Sequence, residues 1–544
     1  MVKLATGARS STAQKITAHA LQPFKGRRLR TGQAARLDAS FPMKSKKRSP
    51  RPAPQPQEIE LKLALPTANP SGLANLLART PVLARRKATQ LHLHNIYFDT
   101  PEQHLHQQRI ALRLRRKGSD AKPEWLQTLK MGGRSDSALS QRGEWEVGVP
   151  GAELSWRALE ATPWQDLDAD GALFGALTPC FVTTFTRTVW EVRRRGGSVV
   201  EVALDIGQVT AGGKSTPICE LELELLAGPP AALFEVAQQI ARTLAVLPLN
   251  VSKAERGYAL LKDALDLPLR AQPPCLRADM PVPVATQQVL REMFSQFTTN
   301  LHMLRTSDDP EVLHQARVGW RRFHSACRLF KPVLATDAMP DWQALKPLLT
   351  LVGTLRDLDV ARTDTLPPLA DAYTAGDTPR EERWQAMHQA LTHAATRQRQ
   401  QVRAALEVPA VGAALLNITQ WLEALADLPE TGEALKPALR RWARQRIARL
   451  HQKLKRALKD VDDPQSQHRA RMLSKRLRYG IEALQPLLPQ RTARRWHAKA
   501  VALQTGIGTA RDLLQAAALA AHPGQDAGLA EFLRGVAVGQ QRRK

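Results

Sequence analysis

The sequence predicts a multidomain chain, α+β in its first half and all-α in its second. From Glu58 to about Leu226 polar and apolar residues alternate with period two, the pattern of short strands; from Val284 onward apolar residues recur at helical spacing. Pro268, Pro273, Pro274, Pro281 and Pro283 mark a linker between the two patterns. At 544 residues the chain also exceeds one ordinary core.

The formal net charge of +27 calls for a polyanionic partner: nucleic acid, an acidic membrane surface or a phosphate polymer. Counted by region it is about +12 over residues 1–57, about +1 over 58–265 and about +14 beyond. Residues 1–57 are aperiodic and rich in Arg, Lys, Ser, Pro and Gln, which predicts a disordered basic arm without the apolar core of a secretory signal. No run of about 18 apolar residues argues for membrane insertion. Cys180, Cys219, Cys275 and Cys327 show no CxxC spacing, which points to a reducing, cytoplasmic setting without a disulfide framework or zinc ribbon.

The first strand, Glu58-Ile59-Glu60-Leu61-Lys62-Leu63, sends two carboxylates and an ammonium to one side. Burying them requires partners, and a divalent cation with an anion against the lysine satisfies all three. Further strands are predicted over residues 91–100, 110–116, 124–130, 142–147, 185–192, 198–206 and 218–226, and a helix over 230–244. Charges recur at every second position: Arg113 with Arg115, Glu144 with Glu146, Glu220 with Glu222 and Glu224. Such a face either meets water or lines the lumen of a closed barrel. Separation of sign favours the lumen, with carboxylates of the first and last strands able to hold metal and Lys62, Arg113, Arg115, Lys130, Arg142, Arg187 and Lys253 around an anion.

Glu58-x-Glu60-x-Lys62, Tyr97-Phe98-Asp99-Thr100, Leu112-Arg113-Leu114-Arg115, Gln127-Thr128-Leu129-Lys130, Cys219-Glu220-Leu221-Glu222-Leu223-Glu224 and Ser252-Lys253-Ala254-Glu255-Arg256-Gly257-Tyr258 resemble, in order, the CYTH domain of the triphosphate tunnel metalloenzymes over about residues 58–265. The resemblance implies an eight-stranded antiparallel tunnel with flanking helices that hydrolyses triphosphates with Mg or Mn. It implies Glu58, Glu60, Lys62, Glu220 and Glu222 as the catalytic set, the four glutamates as metal ligands, and Lys62, Arg113, Arg115, Lys130, Arg187 and Lys253 as phosphate ligands. Glu224 joins the metal set and Arg142 the phosphate set, with Glu144 and Asp205 as further candidates.

The helical half, residues 285–535, contains an internal repeat. His314-x-x-Arg317-x-x-x-Arg321-Arg322 recurs 154 positions later as His468-x-x-Arg471-x-x-x-Lys475-Arg476, and Gly353-Thr354-Leu355-Arg356-Asp357 recurs 155 positions later as Gly508-Thr509-Ala510-Arg511-Asp512. This predicts helical bundles in two similar halves, about 285–400 and 435–535, with a basic tail over 536–544. On a helix His314, Arg317, Arg321, His324 and Arg328 form one stripe, matched by His468, Arg471, Lys475 and Arg478. A stripe is usually a wet face, but these hold no interleaved acids and repel themselves unless an anion neutralises them. Together with Leu477-Arg478-Tyr479 and Leu355-Arg356-Asp357-Leu358-Asp359, these segments resemble the CHAD domain, which implies inorganic polyphosphate binding by the basic residues, Arg322 and Arg476 included. Asp357, Asp359 and Asp512 are expected to buttress arginines.

The expected function is metal-dependent hydrolysis of inorganic triphosphate joined to polyphosphate binding, in the cytoplasm or at polyphosphate granules. A thiamine triphosphatase, an adenylate cyclase, a non-catalytic granule-binding protein and a nucleic-acid-binding protein remain as alternatives. The basic stripes hold few aromatics for base stacking, which disfavours nucleic acid.

Overall fold

A strand with Glu58, Glu60 and Lys62 on one face and apolar residues on the other needs charged partners on the first and a core on the second. Closure of the sheet supplies both. The computed structural model describes residues 57–67, 69–119, 122–134, 137–334, 339–425, 438–459, 464–520 and 527–542. Its strands are β1 (Gln57–Ala64), β2 (Thr89–Asp99), β3 (Ala111–Ser119), β4 (Lys122–Arg134), β5 (Leu139–Val149), β6 (Thr178–Arg193), β7 (Val199–Ala211) and β8 (Lys214–Ala227). They follow the order β5-β4-β3-β2-β6-β7-β8-β1, and β1 also pairs with β5, closing an eight-stranded antiparallel barrel. All eight expected strands are present. A ninth, β9 (Leu247–Pro248), pairs with the end of β1 and is too short to leave a periodic trace in the sequence.

Outward apolar residues of β1, β6, β7 and β8, among them Leu61, Trp190, Val202 and Leu223, are buried under α1 (Ala231–Ala241), which presents Leu233, Phe234, Val236 and Ile240. Helix α2 (Lys253–Leu261) begins at a capping box: Ser252 Oγ accepts the Glu255 N–H at 3.1 Å and Glu255 accepts the Ser252 N–H at 2.7 Å. Tyr258 on α2 donates to Asp99 at 2.7 Å, and Asp99 also accepts the Leu105 and His106 amides. The aspartate of the Tyr-Phe-Asp-Thr motif is thus a buried structural hub.

The longer helices that follow are α3 (Val282–Met303), α4 (Pro310–Leu329), α5 (Lys346–Val360), α6 (Thr378–Leu406), α7 (Pro409–Ala424), α8 (Leu439–Ala457), α9 (Pro464–Leu484), α10 (Gln490–Ala520) and α11 (Ala527–Arg542). Helices α4 and α9 carry the two copies of the basic stripe. Asp309 caps α4 by accepting the Glu311 amide at 2.8 Å, with Pro310 at the first helical position. No single helix among the described residues is long and apolar enough to cross a membrane.

Residues 55–544 form one compact unit, so the proline-rich stretch 266–284 is no free tether. Leu276 is buried, and the Leu269 N–H and C=O both pair with the Asn300 side chain at 3.1 and 2.9 Å. Ala64, Leu247 and Leu249 of the barrel sit in the main helical core, and Leu416 of α7 sits in the barrel's. A Cβ at Gly412 would lie 2.1 Å from the Val246 carbonyl, so α7 approaches β9 this closely only with glycine there. The tail expected from residue 536 is the continuation of α11 to Arg542. The basic arm lies outside the described residues except Gln57, which opens β1.

Candidate active site and anion-binding surface

Strand register decides which charges meet in the lumen. Lys62 lies opposite Glu222, Glu58 opposite Arg142, Lys130 opposite Glu144, Arg187 opposite Asp205, and Asp205 opposite Glu220. The resulting cavity of about 450 Å³ is lined by Glu58, Glu60, Lys62, Arg113, Arg115 and Glu222, among others. Lys62, Arg113, Arg115, Lys130 and Lys253 are only 5–9% exposed, far too buried for the water-facing alternative.

The acidic groups divide. Glu58 accepts from Lys130 at 2.7 and 2.8 Å and from Arg142 at 3.1 Å; Glu60 accepts from Arg142 at 2.9 Å, from Ser140 at 3.0 Å and from Lys62. On the other side Lys253 bridges Asp205 at 2.6 Å, Glu222 at 2.9 Å and Glu220, while Arg187 reaches Asp205 and Glu222. Burial raises the carboxyl pKa of Glu58 and Glu222, but Lys130 and Arg142 hold the first below its usual range, and Lys253, Arg187 and Lys62 hold the second well below it. Glu224 lies opposite Glu60 and Glu201 and has no hydrogen bond or ion pair among the described residues. Burial, then repulsion from Glu58 and Glu144, pushes it up to about 7. Asp205, Glu220 and Glu222 offer carboxylate oxygens all within 4.8 Å of one another. Three hard oxygen donors so close fit a hard divalent cation.

The cations keep donors in reserve. Arg113 has a buried Nε with no acceptor. Arg115 donates to Asn95 at 2.8 Å, and burial together with Arg113 and Arg187 lowers its guanidinium to about 10. A bound anion relieves both. Arg256, absent from the expected set, donates to Glu220 and to the Pro217 carbonyl at 3.2 Å; its spacing three residues after Lys253 on α2 is the clue that the sequence holds.

In the helical half the two stripes converge. Lys475 of α9 is surrounded by Arg321 of α4 and by Arg471, Arg511 and Arg478; burial first, then their repulsion, lowers its amine to about 8. Arg317 is depressed by burial and by Arg321, Arg356 and Arg511, with Asp357 opposing. A Cβ at Gly353 would lie 2.9 Å from an Arg317 nitrogen, so glycine admits this guanidinium against α5. Arg471 and Arg476 each keep a buried Nε without a hydrogen-bond acceptor, whereas the Arg478 Nε lies 3.3 Å from the Glu482 carboxylate. His314 is half-buried beside Arg356, whereas His468 is exposed. Arg322 departs from expectation: it is 2% exposed, points away from the stripe and pairs with Glu292 at 3.2 Å and with Gln296. Successive helical residues stand about 100° apart, so Arg321 and Arg322 cannot share one face. Arg356 and Arg511, at matching positions of the repeated Gly-Thr-x-Arg-Asp, join the cluster instead. Asp359 buttresses Arg399 at 3.3 Å and Arg362 at 3.6 Å.

A closed antiparallel tunnel with a charged lumen, packed against an all-helical region with a convergent basic surface, defines a two-part protein class. Residues 56–258 match the CYTH domain and residues 288–521 the CHAD domain, so this chain carries a CYTH domain followed by a CHAD domain. It is 34% identical over 190 residues to the inorganic triphosphatase of Haemophilus influenzae, a match covering 35% of this chain and 50% of that protein, so the chain spans about half the length of this curated relative. Among solved structures it is similar to the CHAD domain from the plant Ricinus communis, at 29% identity over 51% of this chain and 92% of that one, with a TM-score of 0.43. It is also similar to a putative adenylyl cyclase from Hippeastrum described as revealing a dominant triphosphatase activity, at 20% identity over 38% and 95% of the two chains, with a TM-score of 0.28.

Proposed function

We propose that the tunnel hydrolyses inorganic triphosphate with a divalent metal, Mg or Mn, and that the helical half binds inorganic polyphosphate. The observation that carries the first part is the lumen itself, where buried cations, one with an unpaired donor, face a carboxylate group able to hold metal. The likeness to the Haemophilus triphosphatase supports the same reading.

Asp205, Glu220 and Glu222 would hold the metal, with Glu58, Glu60 and Glu224 as the further carboxylates; when bound, it neutralises phosphoryl charge and polarises the phosphorus. Phosphoryl transfer asks the protein mainly for position and charge. Lys62, Arg113, Arg115, Lys130, Arg142, Arg187 and Lys253 supply both from inside the barrel, where each donor is worth more than at a surface. Purified protein with Mg or Mn, offered triphosphate, ATP, thiamine triphosphate and polyphosphate, tests this through phosphate release; preference for either organic triphosphate overturns the substrate assignment. Replacing Arg113 or Arg115 by Ala is expected to lower kcat/KM for triphosphate by about 30- to 1000-fold, equivalent to about 2–4 kcal/mol. A loss below about threefold places the side chain outside the transition-state contacts.

The convergent cations Arg317, Arg321, Arg356, Arg471, Lys475 and Arg511 support polymer binding, with His314 and Arg478 beside them; Arg476, one residue past Lys475, instead lies with Lys453, Arg456 and Arg469. The depressed Lys475 amine has a readable consequence. It is charged below about 8 and neutral above, and a bound polyanion favours the charged form, so polymer binding takes up a proton and weakens as pH rises through that value. Without polymer the sign for stability is opposite: between about 8 and 10.5 the unfolded chain binds the extra proton, so this group's contribution to stability rises with pH across that window. Calorimetric titration of polyphosphate in two buffers of different ionisation enthalpy checks the uptake, which is expected to vanish in Lys475→Gln.

A further inference from the structure

We propose that helix α3 is a positioning element of the tunnel site, holding the backbone of Lys62 and the start of α2, and thereby the aim of Lys62 and Lys253. The proposal rests on the hydrolytic reading of the tunnel given above.

Two segments grip Lys62 by its main chain. The Lys62 N–H donates to the Ala138 carbonyl at 2.9 Å, and the Lys62 carbonyl accepts the Leu249 N–H at 2.9 Å. Each segment continues into tunnel machinery within a few residues: 138 into Ser140 and Arg142, which bind Glu60, and 249 into Ser252 and Lys253, the cation that bridges Asp205, Glu220 and Glu222.

The helical half holds both segments from outside. Asn250 is clamped by two α3 residues: its Nδ2 donates to Ser295, and its Oδ1 accepts from Thr299 at 2.8 Å. Ser137 donates to Glu423 of α7 at 2.7 Å, and Glu423 in turn accepts from Arg291 of α3 at 3.0 Å. A third contact, Arg305 just past α3 donating to the Leu65 carbonyl at 3.0 Å, fixes the chain where it leaves β1. Hydrogen-bonded side chains at fixed positions along one helix convert the rigidity of the helical core into registry of the loops that present the lumen cations. On its other side α3 packs against α4, which carries the first basic stripe, and Arg322 ties the two helices through Glu292 and Gln296.

The test uses the full chain. Thr299→Val removes the donor at nearly constant volume, Glu423→Gln removes the charge between Ser137 and Arg291, and Thr299→Ser keeps the hydroxyl. The first two are expected to lower kcat for triphosphate about tenfold with KM changed by less than about threefold, and Thr299→Ser to stay within about twofold of the parent. Hydrogen exchange of the Lys62 amide, whose acceptor is Ala138, reads the positioning without any activity. It is expected to quicken in Thr299→Val and Glu423→Gln, while amides of the β6–β7 ladder keep their protection. Unchanged exchange and kcat in both variants overturn the proposal. An equal loss in Thr299→Ser and Thr299→Val also overturns it, since volume rather than the hydrogen bond then matters. If the parent hydrolyses no triphosphate the functional reading falls, and the exchange measurement alone still decides whether α3 holds Lys62.

Discussion

Replacing Glu222 by Gln is expected to reduce triphosphate hydrolysis with Mg by about a thousandfold or more, in line with several kcal/mol of lost charge stabilisation. Glu222 is where the lumen's networks meet: it accepts from Lys253 at 2.9 Å and from Arg187, lies 3.9 Å from Lys62, and is one of three carboxylates grouped within 4.8 Å. Gln preserves volume and removes the charge, so a metal held by the group loses an anionic ligand while three cations lose a counter-charge. Phosphate release measures the first effect and thermal unfolding the second. Asp205→Asn serves as the companion variant, because Asp205 belongs to the same group by geometry though it lies on a different strand. Activity within about threefold of the parent in Glu222→Gln overturns the metal-group assignment.

Exchanging Arg317, Arg321, Arg471 and Lys475 together for Gln is expected to weaken long-chain polyphosphate binding by about a hundredfold or more at moderate salt. The reason is convergence: these residues come from two repeat copies, and their mutual repulsion is part of the depressed pKa of Arg317, Arg471 and Lys475. Each phosphate contact releases counterions, so losing four should lower the slope of log affinity against log salt by about 3. Because barrel and helices share packed cores, the comparison belongs in the full chain and in a chain lacking residues 1–57, whose charge is the main confounder. Triphosphate hydrolysis is the internal control and should stay within about twofold. Duplex DNA of matched charge is the external one. Binding that matches the parent, or equal affinity for DNA, leaves only a diffuse basic surface.

Much of this was readable from residues alone. Alternation at Glu58, Glu60 and Lys62, at Arg113 and Arg115, and at Glu220, Glu222 and Glu224 assigns each charged set to one face of its strand, because a side-chain period of two leaves no freedom within a strand. The change to helical period near Val284 and the offset motifs of His314 and His468 likewise settle an all-helical second half with repeated stripes. Alternation says nothing of what lies across the ladder. Pairing of β1 with β8 decided that Glu222 meets Lys62 and that Glu224 faces Glu60, and the register of β7 against β8 set Glu201 opposite Glu224 and brought Asp205 to Glu220 and Glu222. Helical phase removed Arg322 from the stripe, and packing of the two copies brought Arg356 and Arg511 to it. A proline-rich stretch reads as a tether because composition carries no information about contacts made from a distance; the Asn250 clamp and the Glu423 relay join residues 45 to 286 positions apart, a separation that only the folded chain brings within hydrogen-bond reach.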